Sequence, residues 1–293
     1  MVKCSIVSTS YASSEREVRK MIRNVVRLGF DKVSVYSSKR IFFNKWAGAP
    51  KKRLKMFYDA WGSDSDVIIA SRGGSGISQF ISELDVSFLR EKKLVVGYSD
   101  FTMLLNFLNQ KLGIVALHGP MALKSLDGES LFYLKRALGM NDYSVPFLKR
   151  MSYGSNLLSM SGEIVAGNLS RLVESLLFYD IDFEDKILFL EEVGMSEHKI
   201  INLLYALSAY EGFSPKAIVF GNMGYTFSKE FKSILKNIFF SVPLLFGFPF
   251  GHQLPNITIP IGASCTIDFN KCSFDFSFPD SEKGYAVKFS NIL

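Results

Sequence analysis

A serine stands where a buried-strand pattern gives way to a helical one. The apolar, β-branched run 94–97 ends in glycine, Ser99 follows two residues later, and a helical pattern with Asp100 in its first turn begins at once. Such a tight corner exposes a serine oxygen, and the backbone N–H groups at the helix start are free to stabilise an oxyanion. Ser99 is therefore a candidate nucleophile. An ordinary N-cap is the alternative interpretation of the same residues.

A serine nucleophile needs a base, and the sequence offers three histidines. His198 stands in a helical pattern between two charged residues, which is typical of a solvated helix face. His118 follows a predicted strand, where it is either a second candidate base or a structural hydrogen-bonding residue. His252 lies in a Gly- and Pro-rich loop, and functional groups are commonly carried on such connections. The sequence therefore favours His252 as the base over His118.

Two adjacent acids, Glu191 and Glu192, end the continuous apolar strand pattern 187–190. An acid at that position can orient a histidine at the edge of a sheet, and a solvated acid is the alternative. The chain order Ser, Glu, His is compatible with a triad, because triads recur on unrelated folds in different orders. The G-x-S-x-G elbow of α/β-hydrolases is absent, since Phe101 occupies its last position.

A glycine-rich turn, residues 72–76, follows the strand pattern 67–70. It lacks the Lys-Ser/Thr pair of a P-loop and the full G-x-G-x-x-G fingerprint, so nucleotide binding is the less favoured function. A turn of this kind can instead bring a bare backbone N–H close to a reacting carbonyl. Arg72 at its start is a candidate clamp for a substrate carboxylate, and a structural ion pair is the equal alternative.

The elements that must position these residues alternate along the first half of the chain. The predicted strands lie at 4–8, 33–36, 67–70, 94–98 and 114–117, and one of the predicted helices lies at 80–89. This alternation, with short turns, predicts an α/β fold with a doubly wound, mostly parallel sheet. In such a sheet, function gathers at the carboxyl ends of the strands, where the glycine turn and Ser99 both lie.

The second half predicts a mixed α/β domain with antiparallel strands at its end. Its last period-two strands are expected at 258–267 and 273–278. Clear periodicity is lost between the two halves. We therefore expect an N-terminal domain over 1–145, a linker over 146–162 and a C-terminal domain over 163–293.

Composition argues against several classes of protein. Of the 293 residues, 48% are apolar and 21% are charged, which is typical of a globular chain. The net charge of +6 is scattered and the aromatic residues are not interleaved with basic ones, so nucleic acid is not an expected partner. The three cysteines form no CxxC pair, which argues against a disulfide framework or a structural zinc site.

Targeting and metal-binding signals do not stand out in the sequence. No apolar run approaches the roughly 18 residues that span a bilayer, and the N-terminus has no signal-peptide core. The histidines and acids show no metal-ligand spacing. We therefore expect a cytoplasmic protein that has no metal, no other cofactor and no membrane partner.

Six segments, taken together and in order, resemble the LD-carboxypeptidase family of serine peptidases. They are Arg72–Gly76, Gly97–Thr102, His118–Met121, Gly167–Leu169, Leu188–Glu192 and Gly251–His252. The resemblance runs from the first predicted strand to beyond Gly262, which is essentially the whole chain.

The resemblance implies a site and an activity. It implies Ser99 as nucleophile, His252 as general base and Glu191 as the acid that orients the histidine. It also implies an oxyanion hole from the backbone N–H groups of Asp100 and Gly74. The serine would come from the N-terminal α/β domain, the other two residues from the C-terminal domain, and the site would lie in the cleft between. The implied reaction is hydrolysis of the L,D peptide bond before the C-terminal D-alanine of a murein tetrapeptide, in peptidoglycan recycling.

Three departures from the family pattern concern substrate choice rather than reaction type. Ser75 stands where an aromatic residue is usual, Ala166 replaces the first glycine of Gly-Gly-Asn-Leu, and residues 178–180 replace an expected Gly-Thr. Two alternatives therefore stay open, a hydrolase of microcin C-type peptidyl or acyl-sulfamoyl adenylates and a non-catalytic ligand-binding relative. The expected partner is a small peptide substrate. The oligomeric state is left open, with a homodimer as one alternative.

Overall fold

The structure is a computed structural model that describes residues 1–38, 41–89, 91–147, 152–153, 158–225, 228–281 and 283–287, with the backbone alone at 152–153 and 285. The strands in chain order are β1 (Lys3–Val7), β2 (Lys32–Tyr36), β3 (Val67–Ala70), β4 (Leu94–Gly97), β5 (Ala116–His118), β6 (Tyr143–Pro146), β7 (Ser152–Tyr153), β8 (Ser159–Asn168), β9 (Ile187–Glu191), β10 (Ala217–Phe220), β11 (Leu244–Phe246), β12 (Ile259–Ile261), β13 (Ser264–Asp268) and β14 (Ser273–Ser277). The helices are α1 (Glu15–Leu28), α2 (Pro50–Trp61), α3 (Thr102–Leu112), α4 (Gly128–Leu138), α5 (Leu169–Ser175), α6 (Glu197–Ser208) and α7 (Lys229–Ile238).

The first sheet has the strand order β12-β5-β4-β3-β1-β2. Strands β1 to β5 pair in parallel, and β12 adds to β5 in the antiparallel direction. All residues of β3 and β4 are buried, which explains their continuous apolar runs, because a parallel strand in a doubly wound sheet is covered on both faces. The carboxyl ends of β3 and β4 therefore lie side by side at one edge.

The second sheet has the strand order β6-β14-β13-β8-β9-β10-β11-β7. Its centre, from β8 to β11, is parallel. Antiparallel strands flank this centre on both sides, with β13, β14 and β6 beyond β8 and with β7 beyond β11. The predicted fold class is confirmed, since one sheet is mostly parallel and the other combines parallel and antiparallel strands.

The predicted helix at 80–89 was wrong. The structure has short 3₁₀ turns instead, at Ile77–Gln79, Ile81–Glu83 and Val86–Phe88. The Asp85 side chain accepts a hydrogen bond from the Ser87 N–H at 2.8 Å, and the Asp85 N–H donates to the Tyr58 hydroxyl at 2.8 Å. Such local side-chain bonds compete with the helical pattern, which explains why the apolar spacing did not produce a helix.

The predicted strand at 258–267 was also wrong, because it is two strands in different sheets. β12 pairs with β5 in the first sheet, and β13 pairs with β8 in the second. Between them, Gly262 has a φ of +83°, a left-handed conformation that ends the extended run. All three residues of β12 are buried, whereas burial alternates along β13, so only the second part of the predicted strand has period-two burial.

The domain boundaries stay predictions. The predicted linker at 146–162 lies partly outside the described residues, since 148–151 and 154–157 are not among them. Within the described part, the chain crosses between the sheets, because β6 joins the second sheet and β12 joins the first. No helix in the described ranges combines the length and the apolar character that crossing a membrane requires.

Helix α3, which follows the Ser99 corner, is fixed to the second sheet. The Asn106 side chain donates to the Ala166 carbonyl at 3.0 Å, and the Thr102 hydroxyl accepts from the Asn168 N–H at 3.0 Å. Gly167 lies between these contacts, where an added Cβ would collide with Thr102. The two sheets therefore hold a defined relative position next to the serine.

Candidate active site

Ser99 lies on a strained corner between β4 and α3. Its φ is +64°, a left-handed value that a non-glycine residue seldom adopts outside turns and functional sites. A 3₁₀ turn, Ser99–Phe101, leads into α3, whose N-cap is Phe101 without a side-chain cap. The Ser99 hydroxyl therefore does not cap this helix, so the alternative interpretation of Ser99 as an N-cap was wrong. The corner leaves it in the wall of a cavity.

Glu191 and His252 are in direct contact. Nδ1 of the imidazole lies 2.8 Å from Oε2 of the carboxylate, and Glu191 is fully buried at the end of β9. Gly251 makes this approach possible, because its φ is +81° and an added Cβ would lie 2.8 Å from the same Oε2 atom. With Nδ1 held by the carboxylate, Nε2 is the ring nitrogen left for a substrate or a nucleophile.

Tyr98 holds the other side of the histidine. Its ring packs edge-on against His252 with 4.8 Å between centroids, and it is 2% exposed. Burial, followed by the Glu191 carboxylate, raises the pKa of the Tyr98 hydroxyl, so this side chain stays neutral. The imidazole is thus fixed between a carboxylate and an aromatic ring that directly precedes Ser99 in the chain.

A cavity of about 540 Å³ collects most of the sequence-predicted site residues. It is lined by Tyr11, Lys20, Arg72, Gly73, Gly74, Tyr98, Ser99, Met121, Leu123, Lys124, Ser125 and His252. Ser99 and His252 share this cavity, and Glu191 lies behind the imidazole. Within the described residues no hydrogen bond joins the Ser99 hydroxyl to the imidazole. Such bonds are often long before a substrate binds.

The glycine turn passes directly beside the serine. A Cβ added to Gly73 would lie 2.9 Å from the Ser99 oxygen. Gly74 has a φ of +143°, and a Cβ there would collide with the Tyr11 ring. None of the hydrogen bonds among the described residues uses the N–H of Gly74 or of Asp100. Both groups are therefore free to donate, and their role as an oxyanion hole stays a prediction.

The Asp100 carboxyl ties the two sides of this predicted oxyanion hole together. It is fully buried and accepts a hydrogen bond from the Ser10 hydroxyl at 2.6 Å and from the Ile77 N–H at 3.2 Å. Ile77 directly follows the glycine turn, so the turn and the Ser99 corner are linked through one side chain. Burial raises the pKa of this carboxyl, while the Ser10 hydroxyl, the Arg171 guanidinium and the Ile77 N–H oppose the shift.

Arg72 forms an ion pair with Glu17, with 3.0 Å between Nη1 and Oε1. The same Nη1 donates to the Ala12 carbonyl at 3.3 Å. Arg72 therefore forms a structural ion pair, which was the alternative to a carboxylate clamp. The role of Arg72 as a carboxylate clamp stays a prediction.

Glu192 makes a separate set of contacts from its neighbour. Its carboxylate accepts hydrogen bonds from the Asn168 amide at 3.1 Å, the Ser170 N–H at 2.9 Å and its own next residue, Val193, at 2.8 Å. These bonds hold the start of α5 against β9. The two adjacent acids thus have different hydrogen-bond partners, and of the two it is Glu191 that contacts the imidazole.

His118 is fully buried and does not line the cavity. Its ring packs against Phe250 with 5.4 Å between centroids and against Tyr98 with 6.0 Å. Neither ring nitrogen has a hydrogen-bond partner within the described residues. Burial, with a smaller contribution from His252, lowers the pKa of His118 to about 3. It is therefore a neutral packing residue beneath the site. His198 is exposed on α6.

Sequence reasoning missed three contributors to the site, namely Tyr98, Gly251 and the Asp100 side chain. Each is an immediate neighbour of a predicted site residue. A glycine directly before the candidate base, and an aromatic residue directly before the candidate nucleophile, were the available signals. Across the described ranges, no group of three His, Cys, Asp or Glu side chains lies close enough together to hold a metal ion.

The chain matches known sequences over both halves. Residues 4–119 match the LD-carboxypeptidase N-terminal domain, and residues 161–267 match the LD-carboxypeptidase C-terminal domain. A Bacillus subtilis protein named "Probable murein peptide carboxypeptidase" is 27% identical over 239 residues, which are 76% of this chain and 75% of that protein. The microcin C7 self-immunity protein MccF of Escherichia coli is 23% identical over 286 residues, 83% of each chain.

A solved structure has the same fold. The muramoyltetrapeptide carboxypeptidase of Oxalobacter formigenes superposes with a TM-score of 0.80 at 23% identity, over 94% of this chain and 99% of that one. This likeness concerns the fold, while the two matched domains cover most of the sequence. The chain therefore belongs to the LD-carboxypeptidase family of serine peptidases.

Proposed function

We propose that this chain is a serine carboxypeptidase that hydrolyses the L,D peptide bond before the C-terminal D-alanine of murein tetrapeptides. The observation that carries the proposal is the 2.8 Å contact between His252 and the buried Glu191, with the imidazole in the same cavity as Ser99. The murein peptide carboxypeptidase among its relatives supports the choice of substrate. The reaction belongs to peptidoglycan recycling, which we place in the cytoplasm.

The first half of the reaction forms an acyl-enzyme. Nε2 of His252 takes the proton of the Ser99 hydroxyl while the oxygen attacks the carbonyl carbon before the terminal D-alanine. Glu191 stabilises the imidazolium that forms. The negative charge on the carbonyl oxygen is held by the N–H groups of Gly74 and Asp100, which have no other acceptor among the described residues.

The second half releases the product. The imidazolium gives its proton to the nitrogen of the departing D-alanine, and the C–N bond breaks. Water then enters, His252 accepts its proton, and the resulting hydroxide attacks the ester of Ser99. Collapse of the second tetrahedral intermediate returns the proton to the serine oxygen and frees the shortened peptide. The cycle needs only water as co-substrate.

The test is a panel of synthetic murein tri-, tetra- and pentapeptides, with the products weighed by mass spectrometry. We expect the tetrapeptide to lose the mass of one D-alanine residue and the tripeptide to stay intact. Cleavage of an internal bond, or of the tripeptide, would contradict a carboxypeptidase of this specificity. The same panel with an L-alanine terminus is the matched control, because an L,D-specific enzyme leaves it uncut.

The main rival is hydrolysis of a microcin C-type peptidyl or acyl-sulfamoyl adenylate. Its support is the similarity to the microcin immunity protein. Stacking on a nucleobase needs an accessible aromatic face, and the cavity offers the rings of Tyr11 and Tyr98. The Tyr11 ring lies against Gly74 and Tyr98 packs on His252, so both are already in contact. An aminoacyl-sulfamoyl adenosine added to the panel decides between the two substrates.

A further inference from the structure

Three cationic side chains line the cavity beside Ser99, namely Lys20, Arg72 and Lys124. Arg72 is paired with Glu17 at 3.0 Å, so this pair contributes no net charge. Among the described residues, no ion pair or hydrogen bond engages the ammonium groups of Lys20 and Lys124. The lining that these residues share with the candidate nucleophile therefore includes two positive charges that no described acid compensates.

The two lysines come from distant parts of the chain but are held in one place. Asn24 lies one turn after Lys20 on α1, on the same face of the helix. Its amide donates to the Ala122 carbonyl at 2.9 Å and to the Lys124 carbonyl at 3.0 Å. The loop after β5 is thus bonded to the helix that carries Lys20.

The same loop is also fixed to the strand that precedes the glycine turn. The Ala122 N–H donates to the Ala70 carbonyl, and the Leu123 N–H donates to the Ser71 carbonyl, both at 3.0 Å. The backbone that carries Lys124 therefore has a defined position relative to the glycine turn. Lys20 is half-buried and Lys124 is exposed, so both reach the cavity from its rim.

An exopeptidase must recognise a free carboxylate close to the bond it cuts. One extended residue spans at most roughly 3.6 Å, so the carboxylate of a single departing residue lies in the same cavity as the attacked carbonyl. Arg72 is already committed to Glu17. We propose that Lys20 and Lys124 bind the terminal carboxylate of the departing residue and so restrict the enzyme to peptides with a free C-terminus.

This proposal rests on the proposed function and assigns its substrate-recognition residues. Charge-assisted hydrogen bonds to a carboxylate are stronger than neutral ones and are lost when the acid is amidated. A peptide amide would leave both ammonium groups without the carboxylate partner that the free acid provides. The two lysines therefore select substrates by the charge of the C-terminus and not by their side chains.

The experiment compares Lys20→Gln, Lys124→Gln and the double variant with the parent enzyme on one tetrapeptide, as free acid and as C-terminal amide. We expect kcat/KM for the free acid to fall about 10- to 100-fold in the double variant, mainly through KM. Hydrolysis of the amide should change less than about threefold. Arg23→Gln, on the same helix but outside the cavity lining, is the matched control and should retain the parent's preference for the acid.

A binding measurement separates this proposal from the proposed function. In a Ser99→Ala background, calorimetry should show weaker binding of the free acid when both lysines are replaced, and no such difference for the amide. If the parent cuts the tetrapeptide but the double variant keeps its preference for the acid, the lysine assignment is overturned and the function stands. If the parent neither cuts nor binds the tetrapeptide, both are overturned.

Discussion

Nδ1 of His252 lies 2.8 Å from Oε2 of Glu191. Glu191 is fully buried at the end of β9, whereas 22% of the His252 side chain is exposed, in the wall of the cavity. A buried carboxylate that faces an accessible imidazole fixes the ring and stabilises its protonated form. This relationship distinguishes Glu191 from Glu192, which directly follows it in the chain.

The two acids should respond differently to the same substitution. Glu191→Gln should lower kcat by about 10³- to 10⁴-fold, because an amide cannot stabilise the imidazolium and favours the wrong tautomer. Glu192→Gln should keep kcat within about tenfold, because its carboxylate binds Asn168 and the Ser170 N–H instead. The measurement is kcat on the tetrapeptide. The reverse ranking would move the assigned acid by one residue.

The stability of the same two variants provides a second readout. Glu192→Gln should lower the thermal midpoint by about 4–8 °C, the shift expected for a loss of ~2 kcal/mol from a buried charge-assisted network. A variant that loses activity but keeps its midpoint has a defect in chemistry. A fall in both would point to a structural role.

Gly251 should be necessary for the contact between the acid and the base. Gly251→Ala places a methyl group 2.8 Å from the Glu191 Oε2 atom and should reduce kcat at least about 100-fold by displacing His252. Gly194 is the matched control, because its φ of +79° is similar but an added Cβ meets nothing within 4 Å. Gly194→Ala shares the backbone strain and should retain activity. Equal losses in both variants would assign the effect to strain alone.

Gly73 should be required for space beside the nucleophile. A Cβ at this position would lie 2.9 Å from the Ser99 oxygen and 3.3 Å from the Met121 methyl, in the space where a carbonyl must approach. Gly73→Ala should therefore lower kcat/KM by about 100-fold or more and leave the thermal midpoint nearly unchanged. Gly128→Ala, where an added Cβ meets nothing within 4 Å, serves as control. If Gly73→Ala kept the parental kcat/KM, the substrate carbonyl would not approach Ser99 through the space beside Gly73.

His118 should make the protein sensitive to mild acid. Its pKa falls from an ordinary value of 6.5 to about 3 in the folded state. Between these two pH values the unfolded chain binds a proton at His118 that the folded chain does not. The contribution of His118 to the free energy of unfolding is therefore complete above pH 6.5 and is lost as the pH falls toward 3. The loss is at most ~1.4 kcal/mol for each pH unit.

Replacing the imidazole separates the effect of His118 on stability from that of the other groups that titrate at acid pH. His118→Phe keeps an aromatic ring against Phe250 and Tyr98 but removes the titration. The stability of the variant relative to the parent should therefore rise as the pH is lowered from 7 to about 4.5, as measured by urea unfolding at several pH values. A constant difference across that range would show that His118 does not resist protonation in the folded state.

Local periodicity predicted much of the fold and one edge of the site. Apolar runs identified the parallel strands, and because such strands end at the same edge, Ser99 and the glycine turn were expected to lie together. The turn at Gly262 was not predicted, because the apolar positions run through it from the fully buried β12 into β13, and no local residue pattern separates the two strands. Residues 80–89 have helical apolar spacing, but the hydrogen bonds of Asp85 with Ser87 and Tyr58 favour 3₁₀ turns over an α-helix.

The rest of the site depends on tertiary contacts that no spacing in the sequence shows. The resemblance to a family suggested Glu191 and His252, but only packing of the loop at 247–258 against β9 brings their side chains into contact. Lys20 and Lys124 line the same cavity, and the Asn24 side chain bonds the helix of one to the loop of the other, almost a hundred positions later in the chain. Neither residue belongs to a pattern that sequence reasoning could have used.

The most direct test of the central claim is the rate of D-alanine release from a murein tetrapeptide by Ser99→Ala. The nucleophile assignment predicts a fall of at least about 10⁴-fold with an unchanged thermal midpoint. Ser208→Ala, a serine on α6 outside the cavity, should keep the parental rate, and a reactive-serine probe should label the parent at Ser99 alone. Activity of Ser99→Ala within about tenfold of the parent would contradict the claim.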